Sequence, residues 1–132
     1  MLTTTEAPVH AEAAALTAAR TFGAALKASP EFVALLAADQ AIAADPQAEA
    51  AIAAFDRLQQ QLRTEITTRT LQESQRAELN QCQQAMYAVP SVAAYVSATE
   101  AFQAVCRETA SIVSTEIGID FAANSRSGGC CG

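Results

Sequence analysis

The chain has 132 residues, room for one domain with its own core, and a formal net charge of −6 at pH 7. Lys27 is the only lysine, tryptophan is absent and aromatic residues reach just 5%, whereas alanine, the strongest helix former, dominates. The arginines, at 20, 57, 63, 69, 76, 107 and 126, are scattered among acids, so direct nucleic-acid binding, which draws on a basic patch, is not expected.

Further classes fall away on pattern. Runs of β-branched residues with period-two alternation are missing, so no strand is predicted. No stretch is both long and apolar enough to cross a bilayer, and Met1 to Glu6 lack the basic start and apolar run of a secretory signal. A cytoplasmic protein with reduced thiols is expected. Its four cysteines then read as metal ligands or core residues rather than disulfides.

The first predicted helix runs from about Pro8 to Ala28, with Ala15, Ala19, Phe22 and Leu26 forming one narrow apolar stripe. Ser29-Pro30 stops it and starts the next: serine caps, and proline suits the first helical position, where its missing N–H costs nothing. The second helix carries Phe32, Leu35, Leu36, Asp39 and Ile42 on one face. Asp45-Pro46 repeats the punctuation. From there Ala48, Ile52, Phe55, Gln59, Leu62, Ile66 and Arg69 alternate by four and three, a heptad seam for a helix lying along another. Gln59 and Arg69 either fix register or mark where the seam runs out into solvent.

Thr70-Leu71-Gln72-Glu73 has capping-box spacing, which places a turn near Thr67 to Thr70. The fourth helix presents Gln75, Leu79, Cys82, Met86 and Val89 at matching steps, so the two seams predict an antiparallel helical hairpin. Its outer half is almost wholly polar and is expected to project, either as a handle for another protein or simply as an exposed pair. The fifth helix runs from Pro90 to about Ile117, burying Val92, Tyr95, Val96, Thr99, Phe102, Val105, Cys106, Thr109, Ile112 and Val113, and Gly118 stops it. Ser29-Pro30 with Phe32 to Ile42 matches Val89-Pro90 with Val92 to Phe102 at an offset of sixty residues, which suggests similar packing roles.

The expected fold is therefore all-α: a bundle of about five helices with a long antiparallel hairpin over residues 1–124, and a flexible glycine- and cysteine-rich tail over 125–132. The tail, Ser127-Gly128-Gly129-Cys130-Cys131-Gly132, sets two adjacent thiols among glycines that free the backbone to wrap a ligand. Thiolates are soft donors for zinc, copper(I) or iron–sulfur centres. Cys130 and Cys131 are accordingly the candidate metal or cofactor ligands, although two vicinal donors cannot complete a site. Cys82 and Cys106 sit on apolar faces and read first as small core residues, with ligation as the alternative.

No catalytic residue is proposed. His10, the only histidine, is near the terminus with no paired nucleophile, the acids are dispersed, and no phosphate-binding glycine loop is present. Asp39 reads as a hydrogen-bonding residue rather than a general base. Thin apolar stripes on helices poor in aromatics predict a homo-oligomer, because one copy would leave some stripes uncovered.

Taken in order, Ala24 to Ile42, Asp45-Pro46, Ile52-Ala53-Ala54-Phe55, the polar hairpin, Val89-Pro90-Ser91-Val92-Ala93-Ala94-Tyr95 and Ser114-Thr115-Glu116-Ile117-Gly118 resemble the YlbF/YmcA family of small helical regulators over nearly the whole chain. The resemblance implies a non-enzymatic adaptor in control of competence, sporulation and biofilm formation. Such an adaptor acts with sister chains and is linked to RNA processing through the endoribonuclease RNase Y. It also implies an iron–sulfur cluster on cysteines, which points to Cys130 and Cys131. This tail has only that pair, so the cluster would be shared between chains or with Cys82 or Cys106. The competing reading is a thiol module that buffers copper or zinc, or senses oxidants, with the same pair.

Overall fold

The computed structural model describes residues 7–125, and Cys130 and Cys131 lie outside them. Among the described residues there are seven helices and no strand: α1 (Ala7–Lys27), α2 (Pro30–Ala43), α3 (Pro46–Gln61), α4 (Arg63–Thr68), α5 (Glu73–Tyr87), α6 (Pro90–Ile117) and α7 (Phe121–Ser125). The all-α expectation holds. The two additional helices come from a break in the expected third helix at Leu62 and from the short α7.

Helix starts follow local chemistry. Ser29 caps α2, its Oγ accepting from the Phe32 N–H at 3.3 Å, and Asp45 caps α3, its Oδ1 accepting from the Gln47 N–H at 3.0 Å. Pro30, Pro46 and Pro90 each occupy a first turn, where no intrahelical N–H is required. Gly118 ends α6 at φ 76°, a left-handed conformation that glycine adopts without penalty. Ser114 then ties α7 back, accepting from the Phe121 N–H at 3.0 Å.

The capping box does not fall on Thr70 and Glu73. Helix α5 starts two residues later, with Gln72 as N-cap and its N–H donating to Gln75 Oε1 at 2.9 Å. Thr70 is occupied on the other side of the turn: its N–H closes α4 on the Glu65 carbonyl at 2.9 Å, while the Arg69 N–H reaches Ile66 at 3.3 Å. This pair of bonds is a Schellman closure. It forces Arg69 to φ 57°, where glycine is usual.

The tightest packing is at one corner. Ala48, Val89 and Val92 are buried together, with Ile42, Ala51, Ile52, Met86 and Val96 packed around them. Two proline-started turns, Asp45-Pro46 and Val89-Pro90, thus meet back to back. From that corner α2 runs antiparallel along the first half of α6, the most extensive helix pair in the fold, as far as a tilted contact between Phe32 and Phe102 with ring centroids 5.6 Å apart. Phe32 and Val92, like Ile42 and Phe102, are sixty residues apart. The sequence echo therefore corresponds to the two members of one roughly two-fold helix pair.

On the other side of the corner α3 pairs with α5. The seam departs from the expected one in its second half. Leu58 and Leu62 are buried and Phe55 and Glu65 half-buried, whereas Gln59, Ile66 and Arg69 face solvent. The expected positions Ala48, Ile52, Phe55 and Leu62 face inward, and steps of four and three from Ala51 through Phe55, Leu58, Leu62 and Glu65 follow the observed seam, with Leu58 in place of Gln59 and Glu65 in place of Ile66. On α5 the expected positions Gln75, Leu79, Cys82 and Met86 are all half-buried, and Val89, which lies beyond α5 as the cap of α6, is buried. On α2, Leu36 and Asp39 are exposed and Ala38 is buried in their place. Ile112 of α6, expected inside, is 57% exposed.

Arg69 gives a direct test of this geometry. A non-glycine residue in the left-handed region carries a local steric cost, so Arg69→Gly is expected to raise stability by about 0.5–1 kcal/mol despite its entropic penalty in the unfolded chain. Denaturant unfolding of both proteins measures the difference, and a loss of stability would contradict the closure described.

Candidate functional site

The chemically reactive side chains are separated by the fold. Cys82 lies on the α5 seam and Cys106 on the inner face of α6; both are half-buried free thiols. Among the described residues no group of three or more histidine, cysteine or acidic side chains is placed to hold a metal ion. Cys130 and Cys131, the other two candidate ligands, fall outside the described residues. His10 and Asp39 are both exposed on outer helix faces.

One side-chain hydrogen bond among the described residues joins segments far apart in the chain. Asp45 caps α3 with Oδ1, and its Oδ2 accepts from the Ser91 hydroxyl at 2.7 Å, linking the α2–α3 turn to the first turn of α6. The hydroxyl is the main reason the Asp45 carboxyl is held below the usual aspartate range. Partial desolvation opposes it, and the Ala48 and Gln47 N–H groups reinforce it. Ser91 is 46 residues from Asp45, and nothing local marks it as a partner. The one available signal was that both residues flank an X-Pro helix start.

The surface features are extended faces. The α3–α4 and α5 arms form the expected hairpin, and α4 packs to any extent only against α3. Its outer surface displays Gln59, Gln60, Gln61, Arg63, Thr64 and Thr67 on one arm and Gln72, Glu73, Ser74 and Arg76 on the other, all exposed. Inside, Glu65 Oε2 is buried without a hydrogen-bond partner among the described residues, as is Thr99 Oγ1 on α6. At the opposite end of the fold, apolar side chains lie open to solvent. On α1, Phe22 is 44% exposed and only Leu26 of the expected stripe is half-buried; on α2, Val33 and Leu36 are exposed. A shallow depression between α6 and α7 is lined by Arg107, Ser111, Ser114, Thr115 and Asp120.

The Asp45–Ser91 junction has a calculable pH signature. Because the fold favours ionised Asp45, its contribution is complete above the ordinary aspartate range and is lost as pH falls through that range toward the lowered native value. Asp45→Asn is expected to lower the melting temperature at pH 7 and flatten its decline between pH 5 and pH 3, both within reach of calorimetry at stepped pH. In Ser91→Ala the Asp45 carboxyl should titrate at higher pH by carboxyl-carbon NMR.

Comparison with known proteins adds one positive finding. A family model described as control of competence regulator ComK, YlbF/YmcA, matches residues 15–118. That span covers every helix from the middle of α1 to the end of α6. No curated protein and no solved structure matches the chain.

Proposed function

The chain belongs to the YlbF/YmcA family of control of competence regulators, and from that membership we propose that it is a non-enzymatic adaptor that works by holding other proteins together. The observation that carries this reading is the distribution of surface. Most of each helix is exposed, and the distinctive features are long faces and a projecting arm rather than converging side chains. Extended helical faces bind other helices or flat protein surfaces through many modest contacts.

The proposed partners are copies of the same chain, sister YlbF/YmcA-type chains, and an RNase Y-like nuclease in the cytoplasm. The adaptor influences RNA processing and developmental control through that nuclease, without touching nucleic acid itself. Its net charge of −6 supports this division of labour, since a nuclease partner would supply the basic surface for RNA. No described helix is long and apolar enough to cross a membrane.

The hairpin is the proposed contact for the nuclease or sister chains. Arg63 and Arg76 stand on its two arms, both exposed. Purified chain should bind host sister chains and the RNase Y-like nuclease in calorimetric titrations. The Arg63→Glu, Arg76→Glu variant should bind at least about tenfold more weakly with an unchanged thermal melt. Absence of binding to both partner classes would defeat the proposal.

The proposal extends to an iron–sulfur cluster held by Cys130 and Cys131, with the remaining thiolates supplied by further chains. Anaerobically purified protein should contain iron and acid-labile sulfide, both lost in the Cys130→Ser, Cys131→Ser variant and retained in Cys82→Ser. Zinc or copper without sulfide would favour a thiol metal-binding or redox-sensing module. Equal iron in wild type and double variant would remove the tail from consideration.

A further inference from the structure

The two ends of the fold are built from equivalent parts but finished differently. The α2–α6 pair is roughly two-fold: Phe32 meets Phe102 at one end and Ile42 packs by Val92 at the other, with matching residues sixty apart. Under that relation α1, which leads into Pro30, corresponds to α5, which leads into Pro90. The segment after Phe102 corresponds to α3. At the Asp45 end, α3 and α5 lie along each other and close the fold. At the Phe102 end their counterparts, α1 and residues 103–117 of α6, make no comparable pair, and α1 has only a slight contact with α2.

The sequence explains the difference. Asp45-Pro46 turns the chain so that α3 can meet α5, whereas the positions sixty residues on are Val105-Cys106, which continue α6 without a bend. The second half of α6 runs straight on; α7 folds back against one side of it through Ser114, and α1 of the same chain does not pair with it. Phe22 on α1 and Ile112 and Ile117 on α6 are left exposed.

We propose that a second copy of this chain completes this end, α1 of each copy lying along residues 103–117 of the other. Length fits: α1 spans about 31 Å and residues 103–117 about 22 Å, close to the length of α5 along α3. Charge fits as well, because α1 carries Arg20 and Lys27 against Glu12, and the α6 segment Glu108 and Glu116 against Arg107. Area gives the strongest reason for an extensive partner. The chain exposes 10267 Å² at a mass of 13.8 kDa, where a compact monomer of that size exposes roughly 6,600 Å². Treating the residues outside 7–125 as wholly exposed still leaves an excess on the order of 2,000 Å². The projecting hairpin takes part of that excess. The rest is of the size an obligate homodimer removes from each subunit, roughly 1,000–2,500 Å².

This inference rests on reading the chain as an interaction protein and names one of its partners as itself. The test uses the full chain in analytical ultracentrifugation from low to high micromolar concentration. Wild type should be dimeric, and Phe22→Asp and Ile112→Asp should each weaken the dimer at least about thirtyfold while retaining helical circular dichroism. A mixture of ¹⁴N- and ¹⁵N-labelled protein treated with a carbodiimide should give mixed-isotope cross-links from Lys27 to carboxylates of α6. A monomeric wild type, a dimer that withstands both substitutions, or links confined to single chains would overturn the proposal. A wild type that is monomeric alone yet binds a sister chain would overturn only this inference and leave the adaptor reading standing.

Discussion

Everything in this fold hangs from the corner where the Asp45-Pro46 and Val89-Pro90 turns meet. Ala48, wholly buried, admits Val89 and Val92 at close range, and the Ser91 hydroxyl locks the two turns through Asp45 at 2.7 Å. An alanine is needed there because the helices approach too closely for a larger side chain. The corner fixes the direction of four helices at once. It sends α2 back along α6 on one side and lays α3 against α5 on the other.

From that anchor, order passes outward along thin seams. Leu58 and Leu62 carry the hairpin a little over halfway, after which polar residues take over both arms. With six hydrophobic side chains buried in the described residues, the largest of them leucine, the chain by itself holds little apolar area out of water. Alanine-rich helices suit such a molecule. They hold their own helical form at low conformational cost and leave broad, shallow faces for neighbouring chains.

The cysteines sort by environment. Cys82 and Cys106 serve the seam and the inner face of α6, where a small, weakly polar side chain packs well. Among the described residues neither belongs to a group of three or more histidine, cysteine or acidic side chains placed to hold a metal ion. The cluster chemistry proposed above is placed on Cys130 and Cys131, which lie outside the described residues.

Sequence alone determined the helices, because alanine content, X-Pro starts and Gly118 act over a few residues. Ser29, Asp45, Pro90 and Gly118 all perform their expected local roles. It also determined the inward face of α5, where every expected seam position is covered, and family membership, which is written in the order of these local signals. Tertiary structure decided the rest. Leu58 rather than Gln59 faces α5, because two helices in contact select one register from several that periodicity permits. Ile112 is open, because whether an apolar residue is buried depends on a neighbouring helix being there, and straight α6 outruns α2. Ser91 became the partner of Asp45 because packing brought two distant turns together, a relation that no spacing along the chain encodes.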